Sequence, residues 1–156
     1  MTHHVPLPHP EAVQKLLSEL IGQAISVQEG SAPAGRQAMA AYESDDGQLL
    51  AACLFDLRLA ATLGASLVML PASAAKEAET ASGLEAGIAS NFQEVANVAT
   101  SLFSRDGKHA RLREVAFVLL ASQADVTDLL ARHEARLNLE VAVPGYDKGC
   151  MSILMP

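Results

Sequence analysis

The chain has 156 residues, of which 50% are hydrophobic and 19% are charged, and its formal net charge is −7. This length suits a single domain with a substantial core, and the high hydrophobic content excludes an intrinsically disordered chain. The excess of acidic residues gives no electrostatic footprint for nucleic acid. The Lys and Arg residues are scattered and form no run that would bind an anionic membrane.

The first nine residues predict a short N-terminal arm, and residues 10–156 predict one domain. The opening sequence MTHHVPLPHP lacks the basic start and the apolar run of a signal peptide. The most hydrophobic window, LLAACLFDLRLAATLGASLVML, contains Asp56 and Arg58, and each charge would cost about 3 kcal/mol in lipid. We therefore expect a cytoplasmic protein in which this window is a buried strand that runs into a helix.

The first half of the chain predicts a helix, a hairpin and a second helix. Pro10 suits the first turn of a helix, where its missing N–H is not needed. Asp45, Asp46 and Gly47 predict a tight turn between two strands, and Asp56 is placed to cap the helix that follows. The predicted elements are a helix over residues 10–24, a loop over 30–35, strands over 36–44 and 48–55, a helix from Leu57 to Pro71 and a connector over 72–80.

The second half predicts a long helix and a further set of strands. Ser82 and Glu85 match a capping box at the start of the helix, which gives Glu85 a structural role, and Asp125 is a candidate cap for a later helix. Strands that cluster in blocks indicate an α+β fold, a single domain with a largely antiparallel sheet packed against helices. The predicted elements are a helix over residues 84–103, a turn at Asp106 and Gly107, a strand over 111–120, a helix over 124–135, and a hairpin of strands 137–143 and 148–155.

The cysteines and histidines predict no reactive or metal-binding cluster. Cys53 and Cys150 lie in apolar, strand-like stretches, which favours reduced, buried thiols over a disulfide framework. His109 and His133 lack partners at ligand spacing, so surface or packed histidines are the favoured interpretation. The two aspartates of the hairpin turn lack a third ligand, which favours a solvated turn over a metal site. We expect no metal and no cofactor held by this chain.

The segment SNFQEVANVATSLF, residues 90–103, separates into an apolar and a polar side when it is placed on a helix. Glu94 and Asn97 are neighbours on the polar side, because residues three apart on a helix project in similar directions. The apolar stripe comprises Leu84, Ile88, Phe92, Val95, Val98, Ala99 and Leu102. The polar side comprises Ser90, Gln93, Glu94, Asn97 and Ser101.

An ordinary solvated helix face is the alternative to a functional pair. With 11 Glu and 3 Asn in the chain, an E-x-x-N spacing would arise by chance about one time in five. Two observations favour function. Glu94 and Asn97 share the exposed side, and this side carries no Lys or Arg that would pair with the carboxylate.

SNFQEVANVATSLF, which follows a hairpin and a helix, resembles the E-x-x-N helix of the CheC/CheX/FliY family of chemotaxis phosphatases. The resemblance extends to the strand GQLLAACLF, to the helix before Pro71 and to the length of the chain. Only one E-x-x-N is present, because EARLN has one residue too many, so the chain is most similar to CheX. It differs from CheX-like sequences at Ser101, where they usually have Gly.

The resemblance implies dephosphorylation of a CheY-like receiver domain of a response regulator. Glu94 would pair with a lysine of the receiver, and Asn97 would orient the water that attacks the aspartyl phosphate. Ser90, Gln93 and Ser101 would complete the docking surface. Mg²⁺ would be carried by the receiver, and no cofactor would belong to this chain.

Two other functions remain open at this stage. The difference at Ser101 motivates a non-catalytic module of the same fold that binds a receiver, a flagellar or a polarity protein. A small-molecule enzyme has little support, because the sequence has no Ser-His-Asp order, Gly-rich phosphate loop or metal cluster. The family resemblance also implies a homodimer formed by pairing sheets. The terminal strand CMSILM is apolar enough to need cover, because an uncovered edge strand of this composition would invite aggregation, so we expect a dimer.

Overall fold

A computed structural model describes residues 6–104, 108–117 and 124–156. Six strands form one antiparallel sheet in the order β1-β7-β8-β3-β2-β6, and β4 pairs with β5 in a separate small hairpin. The helices are α1 (Pro10–Ile21), α2 (Leu57–Leu67), α3 (Ala72–Glu77), α4 (Ala86–Val98), a 3-10 helix (Ala99–Leu102) and α5 (Ala124–Ala131). The strands are β1 (Ser26–Glu29), β2 (Gln37–Ser44), β3 (Leu49–Asp56), β4 (Glu79–Thr80), β5 (Gly83–Leu84), β6 (Ala110–Ala116), β7 (Ala135–Ala142) and β8 (Gly149–Met155).

The central strands β2 and β3 are buried on both faces, because successive side chains of a strand point to opposite sides. Tyr42 and Phe55 belong to the main core on the face covered by α1, α2 and α4. Met39 and Leu54 belong to a smaller core on the second face, where Val126 of α5 packs against them. The sheet therefore separates a large apolar core from a small one.

The predicted α+β class and antiparallel sheet are confirmed. The first hairpin pairs β2 with β3, and the last pairs β7 with β8. The carboxylate of Asp56 accepts a hydrogen bond of 2.7 Å from the N–H of Leu59, which confirms the predicted cap of α2. The most hydrophobic window is a buried strand followed by a helix, and none of the helices in the described residues has the length and apolar character needed to cross a bilayer.

Several predicted boundaries were wrong. α1 ends at Ile21, because Gly22 adopts a left-handed conformation (φ 76°) and its N–H bonds the carbonyl of Ser18. The predicted connector over residues 72–80 contains α3 and the first strand of the small hairpin. Strand β1 was not predicted, because its single buried residue, Val27, gives no apolar pattern. The helix predicted over residues 124–135 ends at Ala131.

The terminal strand β8 is not an edge strand. It pairs with β3 on one side and with β7 on the other, so this chain covers it completely. The edges of the sheet are β1 and β6. The expectation that the CMSILM strand needs cover from a second chain was therefore wrong, because strand order cannot be read from the composition of one strand. The turn predicted at Asp106 and Gly107 lies outside the described residues, as does the end of the strand predicted over 111–120.

Candidate functional site

The helix that carries the predicted motif, α4, begins with an acidic cap. The Glu85 carboxylate accepts hydrogen bonds from the N–H groups of Gly87 (2.9 Å) and Ile88 (3.1 Å). These donors hold the pKa of the Glu85 carboxyl below its ordinary value. The structural role predicted for Glu85 is confirmed, but the capping box was wrong. Glu85 is itself the cap, and Ser82 lies in the preceding turn.

The inner side of α4 is held by close apolar packing. The Phe92 ring meets Phe55 edge-on, with 5.0 Å between ring centroids, and lies 6.1 Å from the ring of Phe117. On α2, Gly64 lies so close to α4 that an added Cβ would fall 2.5 Å from the carbonyl oxygen of Ile88. The bulky Phe55 side chain on β3 and the lack of a side chain at Gly64 on α2 together set the position of α4 above the sheet.

A buried tyrosine holds the C-terminal part of α4. The Tyr42 hydroxyl donates a hydrogen bond of 2.7 Å to the carbonyl of Ala96, the residue before Asn97. The Tyr42 ring lies 4.8 Å from the ring of Phe103, and burial raises the pKa of the tyrosine well above its ordinary value. Tyr42 is therefore a neutral donor that ties the backbone beside Asn97 to the central strand β2. This contact was not predictable from the sequence pattern, because it joins residues 54 positions apart.

The outer face of α4 comprises Ser90, Gln93, Glu94 and Asn97 of the helix and is extended by Ser101 of the 3-10 helix that follows, and all five residues are exposed. The inward side includes the buried Ile88, Phe92, Val95 and Ala96. Within the described part of the chain, the side chains of Glu94 and Asn97 form no hydrogen bond or ion pair. A carboxylate and a carboxamide are thus presented together on a helix whose opposite side is buried.

The helix predicted over residues 84–103 changes character before it ends. The α-helix stops at Val98 and a 3-10 helix follows, with about 120° per residue instead of 100°. Ser101 is therefore rotated away from Asn97 and towards α1. Its hydroxyl donates a hydrogen bond of 3.2 Å to the carbonyl of Val98, and its side chain lines a groove between α1 and the end of α4.

The other candidate residues are dispersed. Cys53 is a free, buried thiol whose pKa burial raises to about 12, and Cys150 is a free, half-buried thiol whose pKa is also raised, chiefly by burial. His109 is exposed and His133 is half-buried. Across residues 6–104, 108–117 and 124–156, no three His, Cys, Asp or Glu side chains lie together as metal ligands would.

Known structures of the same fold cover nearly the whole chain, although no protein-family model and no curated protein matches the sequence. FliY from Thermotoga maritima is 14% identical with a TM-score of 0.56, over 96% of this chain and 85% of FliY. The CheX–CheY–BeF3–Mg²⁺ complex from Borrelia burgdorferi matches with 12% identity and a TM-score of 0.53, over 93% of each chain. The middle domain of FliM from H. pylori, a protein also known in complex with FliG, matches with 10% identity and a TM-score of 0.56, over 94% and 84%.

The TM-scores and the coverage of both chains establish the fold, and identities of 10–14% assign no activity. The antiparallel sheet packed against helices and the coverage of both chains agree with the fold expected from the resemblance of SNFQEVANVATSLF. The chain therefore has the fold shared by CheX, FliY and the middle domain of FliM.

Proposed function

We propose that the protein is a CheX-like phosphatase that hydrolyses the aspartyl phosphate of a CheY-like receiver domain. The observation that carries the proposal is the joint exposure of Glu94 and Asn97 on the outer face of α4. The CheX–CheY–BeF3–Mg²⁺ complex adds support, because a CheX of the same fold is found there together with CheY. The proposal places the protein in the cytoplasm.

The chemistry needs little from this chain beyond positioning. A water molecule attacks the phosphorus, the bond between phosphorus and the aspartate oxygen breaks, and the products are inorganic phosphate and the free carboxylate. An acyl phosphate is already reactive, and Mg²⁺ bound by the receiver would neutralise charge on the phosphoryl oxygens, so alignment of the water supplies most of the remaining acceleration. No residue with a tuned pKa is required.

Each residue of the pair has a distinct role in the proposal. The amide of Asn97 accepts a hydrogen bond from the water with its oxygen and donates one with its nitrogen, which orients the water towards phosphorus. The carboxylate of Glu94 pairs with a lysine of the receiver and sets the depth of docking. Ser90, Gln93 and Ser101 complete the contact surface. Tyr42 supports this geometry from the buried side of α4, since its hydroxyl holds the carbonyl of Ala96, the residue before Asn97.

The test is the rate of phosphate release from a phosphorylated receiver domain of the same organism. Wild-type protein should accelerate release, and Asn97→Ala should reduce the acceleration by about 100-fold, the effect of removing a positioned catalytic group. Asn91→Ala is the matched control, because Asn91 lies on the same helix outside the E-x-x-N pair and should be replaceable without loss of rate. No acceleration by the wild-type protein with any receiver of that organism would refute the proposal.

A non-catalytic binding module is the second candidate. The same fold occurs in the middle domain of FliM, and the chain has Ser101 where CheX-like sequences usually have Gly. Calorimetric titration with a BeF3-loaded receiver or a flagellar protein distinguishes the two functions. A partner that binds equally well after Glu94 and Asn97 are both replaced by Ala, together with no phosphate release, would favour the binding module.

A homodimer is part of the proposal, although β8 cannot form its interface. Among the strands of the described residues, those at the sheet edges, which sheet pairing would use, are β1 and β6. Light scattering at micromolar concentration should give about twice the 16.4 kDa mass of one chain. A species of one chain's mass would refute the dimer and leave the phosphatase proposal intact.

A further inference from the structure

A groove of about 490 Å³ lies between α1 and the C-terminal end of α4. Its walls are four half-buried apolar side chains, Leu16 and Leu20 of α1 and Val98 and Leu102 at the end of α4. Lys15 and Glu19 line its rim and are exposed. Neither charge is engaged in an ion pair within the described residues, so the groove combines apolar walls with unpaired charges of both signs at its rim.

The groove is continuous with the outer face of α4. Val98 follows Asn97 directly, and Ser101 lines the groove while it also belongs to the outer face. Four residues along a helix correspond to about 6 Å. A partner that reaches Asn97 is therefore within one helical turn of the groove.

The outer face of α4 is too small to bind a globular partner alone. A stable protein interface buries about 800 Å² on each partner and involves about 20 residues a side, whereas this face supplies five. On one flank, every residue of α2 from Leu59 to Ser66 is buried and offers no side chain to a partner. On the other flank, α1 presents the groove. The groove and its charged rim therefore offer further contact area on the α1 side.

We infer that this groove receives an apolar side chain of the same receiver domain whose phosphoryl group the outer face of α4 serves, with Lys15 and Glu19 contacting polar groups beside it. The inference rests on the proposed function and deepens it, because it assigns a second contact that sets affinity and leaves the chemical step to Asn97. Apolar contacts that persist from ground state to transition state change KM and leave kcat unchanged.

The test blocks the groove with a residue that does not disturb the core. Ala12 lies at the groove on the exposed side of α1, and Arg favours helices nearly as well as Ala. Ala12→Arg should raise the KM for a receiver phosphorylated with acetyl phosphate by about tenfold, with kcat changed by less than about twofold. Ala131→Arg is the matched control, since it makes the same change at an exposed helical position on the opposite face of the sheet.

The outcomes separate this inference from the proposed function. An unchanged KM for Ala12→Arg, while wild-type protein accelerates phosphate release, overturns the inference and leaves the phosphatase intact. An equal rise in KM for Ala131→Arg also overturns it, because the effect would then come from added charge. No acceleration by the wild-type protein refutes the function itself. A rise in KM for Ala12→Arg alone, with an unchanged thermal unfolding midpoint, supports the groove contact.

Discussion

The two faces of the sheet are closed by different kinds of contact. On the first face, α1, α2 and α4 form a continuous apolar core, and Gly64 lets α2 and α4 approach closely. On the second face, α5 contributes a small apolar patch and is also attached through ion pairs between side chains. Arg113 of β6 donates to the carboxylates of Glu43 (2.8 Å) and Asp125 (2.9 and 2.8 Å) and to the carbonyl of Gly47.

This difference indicates which parts of the molecule respond to conditions. Apolar packing and a neutral tyrosine hold the inner side of α4, and the ionised Glu85 cap contacts only the first turn of this helix. The attachment of α5 includes carboxylates and a guanidinium, so it depends on pH and on ionic strength. The helix that carries Glu94 and Asn97 thus lies on the face whose contacts depend less on pH and ionic strength.

Gly64→Ala should have the largest effect, because it acts on the contact between α2 and α4. The added Cβ would lie 2.5 Å from the Ile88 carbonyl oxygen and 2.9 Å from its side chain, so one helix must move. Overpacking of this kind costs about 2 kcal/mol in the free energy of unfolding. Urea denaturation followed by circular dichroism measures this loss as a lower midpoint with an unchanged slope.

Gly87→Ala is the matched control for this prediction. Its Cβ would meet only the carboxylate of Glu85, at 3.3 Å, and Ala is the better helix former. The free energy of unfolding should change by less than about 1 kcal/mol. Equal losses for the two variants would show that close approach at Gly64 does not set the position of α4.

The sequence predicted the parts of the fold that depend on neighbouring residues. The Asp-Asp-Gly turn, the Asp56 cap and the terminal hairpin all follow from residues a few positions apart. Strand order does not, and β8 was placed at an edge although it lies between β3 and β7. The edge strand β1 was missed because its hydrogen bonds to β7 hold it, and three of its four residues are exposed.

The candidate site also has features that the sequence predicted and features that it could not predict. Helical periodicity was sufficient to predict which side of α4 carries Glu94 and Asn97. It could not show that Tyr42 bonds the carbonyl of Ala96, or that Asp56 also accepts a hydrogen bond of 2.7 Å from the N–H of Cys150. It also could not predict the 3-10 turn that rotates Ser101 towards α1. These features depend on tertiary contacts between distant segments of the chain.

Tyr42→Phe tests whether the buried hydrogen bond adds to the apolar placement of α4. The substitution keeps the ring contact with Phe103 and leaves the Ala96 carbonyl without its donor, which costs about 1–2 kcal/mol of stability. If the bond positions Asn97, kcat for phosphate release should fall while KM stays constant. Tyr146→Phe is the control, because the Tyr146 hydroxyl donates to the carbonyl of Leu70, in the exposed segment after α2, and not to a carbonyl of α4. Equal kcat values for the two variants would argue against a positioning role.

Glu43→Gln should have the smallest effect, and it tests the ionic closure of the second face. Hydrogen bonds from Arg113 and Arg111 lower the pKa of the Glu43 carboxyl, so the folded state favours its ionised form. The resulting stabilisation is complete above the ordinary carboxyl pKa of about 4.3 and is lost as the pH falls through the lower value of the folded protein. At pH 7 the variant should be less stable by about 1 kcal/mol or less, and this gap should close in acid.

Urea midpoints measured from pH 7 to pH 3 check both statements, with Glu77→Gln at an exposed position of α3 as the control. A gap that persists at pH 3 would mean that Glu43 contributes through packing, and the contrast between the two faces would then lose its electrostatic basis.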